Sequence, residues 1–111
     1  MVSFEAFRAV DGTPVYLQII NFIKRGAIAG TIRDGDELPS RRVLSALLGI
    51  NPNTVQKAFH MLEEEHLMES RTGAKSCMTL PPDTLDALRR EVLSDELRAM
   101  ARTLRQLGIS R

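Results

Sequence analysis

The stretch LPSRRVLSALLGINPNTVQKAFHMLEEE, residues 38–65, decides the fold because it contains two helix starts separated by a single helix stop. Pro39 blocks helix continuation from upstream, and Ser40 is a good N-cap. Val43, Leu44, Leu47 and Leu48 then recur at helical spacing until Gly49 closes the run. Only Ile50 intervenes before Asn51-Pro52, a second cap with proline at the first helical position. Two short helices across so tight a turn read as a helix-turn-helix.

The second of these helices, expected over 52–65, has two chemically distinct faces. At about 100° per residue with Asn53 at zero, Lys57 falls near ~40°, His60 near ~340° and Gln56 near ~300°. Val55, Ala58, Phe59 and Leu62 fall between ~140° and ~240° on the same wheel. One face is therefore apolar, and the other carries neutral or positive hydrogen-bonding groups. Glu63, Glu64 and Glu65 enter only in the last turn.

Working outward, Thr13-Pro14 reads as a cap and first position for a helix over 14–29, built on Val15, Ile19, Phe22, Ile23 and Ala27 and stopped by Gly30. Residues 1–12 read as an extended arm, and Thr31-Ile32-Arg33 as a short strand before the Asp34-Gly35-Asp36 turn. Downstream, Leu67–Arg71 and Ser76–Leu80 flank Thr72-Gly73-Ala74-Lys75, which predicts a hairpin over 67–80. Pro81-Pro82 ends that unit. Beyond it Leu85, Leu88, Val92, Leu93, Leu97, Met100, Leu104 and Leu107 form an amphipathic stripe, either one long helix or two short ones meeting near Ser94. The expected architecture is mainly α with a small β-hairpin. Residues 1–80 make a winged helix-turn-helix domain, and 81–111 a helical dimerisation tail.

Composition narrows the function. With 111 residues, 43% of them hydrophobic and 26% charged, the chain builds one small core, so wholesale disorder is excluded. No apolar run is long enough to cross a bilayer, and no basic-then-apolar export pattern opens the sequence. A single cysteine, Cys77, excludes an intrachain disulfide and fits a reducing, cytoplasmic setting. The formal net charge of +1 identifies no partner, so any nucleic-acid role depends on where the charge sits.

Placement does favour double-stranded DNA. Asn53, Gln56 and Lys57 offer two donor–acceptor amides and one cation, which suits the edge pattern of a major groove. His60 continues that face. Thr54, in the first turn, brings a hydroxyl and free backbone N–H groups to a phosphate. Arg41 and Arg42 open the preceding helix within reach of the groove. At the hairpin tip Arg71, Thr72, Gly73 and Lys75 are placed for an adjacent minor groove.

PVYLQI (14–19), GDELPSRRVL (35–44), LLGINPNTVQKAF (47–59) and LEEEHLMESRTG (62–73), in this order, resemble the GntR family of bacterial transcription regulators. The Asn-Pro-Asn-Thr-Val segment and the short helical tail are similar to its YtrA-like subfamily. The resemblance implies a dimeric winged-helix DNA-binding protein, usually a repressor, and often one linked to transporter operons. It implies an operator-contacting arginine at Arg42 within the Leu38–Arg42 segment, which includes Ser40. It also implies base and phosphate contacts from Asn51 to Lys57, and a wing glycine at Gly73. The family wing usually reads Gly-x-Gly followed by a small polar residue and an aromatic. Here Lys75 stands at the second glycine and Cys77 at the aromatic position.

Several residues carry blander readings. Lys57 and Gln56 can be merely solvated, and Arg41 and Arg42 can pair with Glu37 or Asp36. Arg71 and Lys75 can belong to a solvated turn. Cys77 reads most simply as a small buried hydrophobe, with a redox-sensing thiol as the rival. His60, Glu64 and His66 are scattered candidates for a metal and lack a supporting shell. The leucine stripe of the tail either folds back on its own domain or is shared with a second copy; the second is favoured, because a small winged domain leaves it few apolar partners. No Walker loop, catalytic constellation or carboxylate dyad is present, so no enzyme, cofactor or metal is expected. The remaining rivals are a winged-helix protein-interaction module and a small redox or metal sensor. A tail of some 30 residues is too short to enclose a ligand domain, so an effector, if one exists, would bind at a dimer groove.

Overall fold

The computed structural model describes residues 1–71 and 75–108. The first helix, α1 (Val15–Ala29), ends at Gly30 in the left-handed conformation, as its sequence predicts. Its start differs. Pro14 rather than Thr13 occupies the cap, so the N–H groups of Leu17 and Gln18 donate to the Pro14 carbonyl. Gln18 also reaches back, accepting from the Val10 N–H and donating to the carbonyls of Val10 and Thr13.

That clamp helps make residues 1–12 part of the domain rather than a free arm. Val2, Phe4 and Phe7 are buried. Phe4 stacks on Phe22 at 5.2 Å between centroids, and Phe7 meets Phe22 edge-on at 5.5 Å. The Val2 N–H donates to the Glu37 carbonyl at 2.8 Å. Apolar residues at three nearby positions find more burial against α1 than an extended arm would allow them.

The expected strand at Thr31–Arg33 does not form. The Thr31 and Ile32 N–H groups both donate to the Gly26 carbonyl at 3.0 Å, finishing the helix instead. Ile32 lies so close over α1 that a Cβ at Gly26 would sit 2.6 Å from its Cδ1. The strand comes later, as β1 (Glu37–Leu38).

Helix α2 (Arg41–Leu48) is capped by Ser40, whose Oγ accepts from the Val43 N–H at 3.2 Å. Gly49, at φ 66°, reverses the chain. Asn51 caps α3 (Pro52–Glu64) by accepting from the Asn53 N–H at 2.8 Å. In α2 only Leu44 is fully buried; Leu48 is half-buried, and Val43 and Leu47 are exposed beside the N-terminal segment. Val43 and Leu47 line a groove of about 560 Å³ with residues of the N-terminal segment. In α3 the apolar face behaves as its wheel predicts, with Val55, Ala58, Phe59 and Leu62 all in the core.

The end of α3 has no glycine. The His66 N–H donates to the Glu63 carbonyl and the Leu67 N–H to the Leu62 carbonyl, both at 3.0 Å. These two bonds form a Schellman turn and hold His66 at φ 62°, where a side chain is strained.

The wing is a three-stranded antiparallel sheet in the order β1-β3-β2, with β2 (Met68–Arg71) and β3 (Lys75–Met78). It is therefore larger than the expected hairpin. Leu38 lies opposite Ser76 and Arg71 opposite Lys75. Lys75 thus belongs to a strand rather than to the turn.

Helix α4 (Pro82–Gln106) runs unbroken through Ser94 for 25 residues, so the tail is one helix. Its stripe is divided. Leu88 is buried in the chain's own core, with Leu85 and Val92 half-buried against it. These three residues thus contribute to the packing of the chain on itself. Leu93, Leu97, Met100, Leu104 and Leu107 are between 42% and 69% exposed. The projecting helix gives a long axis of 53 Å and a radius of gyration of 15.3 Å, against about 13 Å for a compact chain near this length. Among the described residues no helix is long and apolar enough to cross a membrane.

Lys24 of α1 joins three elements. Its Nζ lies 2.8 Å from Glu65 Oε1 and 2.8 Å from Glu91 Oε2, and its side chain is only 11% exposed. Burial alone would lower its pKa, but hydrogen bonds and attraction from both carboxylates outweigh that and raise it. A raised folded value means that the stabilisation is complete below the ordinary lysine range. It is lost only as pH climbs through the raised value, so the lysine does not switch near neutrality.

His66→Gly removes the left-handed strain while keeping both turn hydrogen bonds. It is expected to raise the unfolding free energy by about 1 kcal/mol, and His66→Val to lower it, in urea titrations. Equal stability in all three proteins would show that the turn stores no strain.

Candidate nucleic-acid interface

Packing of the apolar side of α3 against α1 and α2 decides which side chains face out. Asn53, Gln56, Lys57 and His60 are exposed, and Thr54 is half-buried. Asn53 and Gln56 can each donate and accept in one plane, and Lys57 supplies a cation. The face is not uniformly free of negative charge, because His60 Nε2 lies 3.1 Å from Glu64 Oε1. The first two turns carry the free amides.

The N-terminus of α3 differs from its expected form. Pro52 has no N–H, Asn51 Oδ1 takes the Asn53 N–H, and the Asn51 carbonyl takes the Thr54 N–H at 2.9 Å. The first-turn N–H groups assigned to phosphate are thus already satisfied within the chain. Thr54 keeps its hydroxyl. Asn51 and Ser40 likewise spend an oxygen on capping and keep their donors, an amide NH2 and an O–H.

Arg41 and Arg42 are exposed in the first turn of α2. Among the described residues neither forms an ion pair; Asp36 instead accepts from the Arg33 N–H, and Glu37 lies 3.9 Å from Lys75 Nζ. Ser40, Arg41 and Arg42 line a cleft of about 370 Å³ together with Phe59 of α3 and Ser76 of β3. The start of α2, the middle of α3 and the wing therefore meet at one concavity lined by two arginines. Lys75 is exposed at the start of β3. Thr72, Gly73 and the side chain of Arg71 lie outside the described residues.

Sequence reading missed Tyr16. Lys57 Nζ sits 4.1 Å from the centroid of its ring, a cation–π contact that presents the ammonium at the edge of the α3 face. The signal available was a lone tyrosine in the first turn of α1. Its relevance depends on how α1 crosses α3, which residue spacing does not encode.

Cys77 is buried in β3. Among the described residues no group of three His, Cys, Asp or Glu side chains comes together to hold a metal.

Comparison with known proteins finds relatives among transcription regulators. Residues 15–75 match the family described as bacterial regulatory proteins, gntR family. The HTH-type transcriptional repressor YtrA of Bacillus subtilis is 44% identical over 63 residues, which are 57% of this chain and 48% of that repressor. The chain thus spans about half the length of that relative. A GntR family transcriptional regulator from Listeria monocytogenes superposes with a TM-score of 0.80 at 28% identity, over 93% of this chain and 90% of that one. YtrA from Sulfolobus acidocaldarius, a GntR-family transcription factor, gives 0.63 at 27% identity over 83% of each chain.

If the Tyr16 ring holds Lys57, the ε-methylene protons of Lys57 resonate upfield of ordinary lysine positions through the ring current. Tyr16→Leu is expected to return them to ordinary values, and Tyr16→Phe to leave them shifted. Unshifted signals in the wild type would show that the contact is not populated in solution.

Proposed function

The chain belongs to the gntR family of bacterial regulatory proteins, and from that premise we propose that it is a homodimeric repressor that binds an inverted-repeat operator. It is a transcription regulator with a DNA-binding winged helix-turn-helix, and the activity of its family is regulation rather than catalysis. The observation that carries the finer reading is the outward face of α3, with Asn53, Gln56 and Lys57 exposed, together with a cleft that Arg41 and Arg42 line with Phe59 of the same helix.

Residues 52–64 enter a major groove, where the amides of Asn53 and Gln56 read base edges and Lys57 adds a cationic donor. Ser40, Arg41, Arg42, Asn51 and Thr54 hold the flanking phosphates or base edges. His60 extends the reading face, and the wing, with Arg71, Thr72, Gly73 and Lys75, follows the neighbouring minor groove. Residues 1–80 form this reading domain and 81–111 the dimerisation tail.

The exposed part of the α4 stripe, from Leu93 to Leu107, supports self-association, since five large apolar side chains in a row are costly to leave in water. A two-fold pair also suits the task. One recognition helix spans only a few base pairs, while two read half-sites about 34 Å apart and double the phosphate contacts. Repression follows from occupying promoter DNA in competition with polymerase, a reading supported by the 44% identity to a named repressor.

Arg42→Ala and Lys57→Ala are each expected to weaken operator binding by roughly 1–3 kcal/mol without changing the dimer. Titrations of labelled duplex at several salt concentrations check this. Wild-type binding should fall steeply from low to moderate salt as counterions are released; normal binding by both variants would overturn the site. Separately, Leu97→Glu puts a charge in the stripe and is expected to give monomers by sedimentation, with binding reduced to that of a single half-site. A dimer of unchanged stability would remove α4 from the interface.

A further inference from the structure

Helix α4 departs from the reading domain with a short apolar footing. Leu88 is buried and Val92 half-buried, but from Leu93 onward the stripe is exposed. Crossing angles set by packing alone scatter by about 15–20°. From Leu88 to Leu107 the helix extends about 28 Å. A swing of about 15° would move its far end about 7 Å, or two base-pair steps of about 3.4 Å. A dimer joined through such a helix would hold its two reading heads at an ill-defined separation unless something else fixes the angle.

Lys24 supplies that restraint. Its ammonium donates at 2.8 Å both to Glu91 on α4 and to Glu65, the residue that caps the end of α3. One largely covered cation therefore ties the helix that reads DNA directly to the helix that leaves the domain. The next residue, Arg25, pairs with Glu96 on the following turn of α4. Charge-assisted hydrogen bonds are directional, so the two carboxylates define an angle as well as a contact.

We propose that Lys24 is a positioning residue that sets the spacing between operator half-sites, by locking α4 to the C-terminal end of α3. This rests on the reading that α4 pairs two subunits on an inverted repeat. Lys24 itself reaches α3 and α4, with little of its side chain left exposed. Its effect appears in the distance between half-sites, while the sequence of each half-site is left unchanged.

The test is binding of the full chain to duplexes carrying its own half-site twice in inverted orientation, with the centre-to-centre distance stepped one base pair at a time. The proteins compared are wild type, Lys24→Gln, Lys24→Arg, Glu91→Gln and Glu65→Gln. Wild type is expected to prefer one spacing. Lys24→Gln and either glutamate variant should flatten that preference at least fivefold, with single half-site affinity unchanged and Lys24→Arg close to wild type. Glu91 is exposed enough that its glutamine variant keeps the test valid if Lys24→Gln fails to fold. A sharp optimum retained by every variant, or equal weakening at all spacings, would overturn the proposal and leave the dimer reading standing. No benefit from a second half-site in the wild type would overturn both.

Discussion

Burial of one side of α3 is the constraint on which the rest of this molecule depends. Val55, Ala58, Phe59 and Leu62 lie against α1 and α2 with almost no surface left to solvent. Each large side chain so buried contributes about 1.5–3 kcal/mol, and together they leave the helix one rotational setting. That setting turns Asn53, Gln56 and Lys57 outward, and only Lys57 among them adds a contact of its own, to the Tyr16 ring. The same packing brings the N-terminus of α2 against α3, where Arg41 and Arg42 line one cleft with Phe59 and with Ser76 of the wing. Reading capacity here is a by-product of the core.

The helices were legible because their signals are local. Ser40, Gly49 and Asn51-Pro52 mark ends through backbone chemistry that acts within four residues, and each holds in the structure. The outward face of α3 was legible for the same reason, since a wheel needs only one helix. What escaped were features made by contact between distant segments. The 1–12 segment looked like an arm because its role is to pack on Phe22 and to add a hydrogen bond to β1. Ile32 looked like strand because nothing in its neighbours reveals that it closes over Gly26. The Tyr16–Lys57 contact and the three-way bond of Lys24 likewise depend on helix crossings. The end of α3 was hidden for another reason: a left-handed turn usually announces itself with glycine, and here histidine occupies it.

The tail shows how one periodic stripe can serve two ends. Leu85, Leu88 and Val92 continue without a break into Leu93 and Leu97, and no change in spacing marks where intramolecular contact stops. Polar groups then take over from apolar ones. Lys24 and Arg25 meet Glu91 and Glu96 where the hydrophobic footing ends, so α4 leaves the domain in a direction fixed by charge.

The most direct measurement of the central claim is selection of bound sequences from a pool of random duplexes by the purified chain. An outward α3 face carried on a two-fold pair predicts enrichment of one short half-site present twice in opposite orientation, with centres about one helical turn apart. Enrichment of a single unpaired site would contradict the pair. Recovery of the starting pool would contradict the reading face itself.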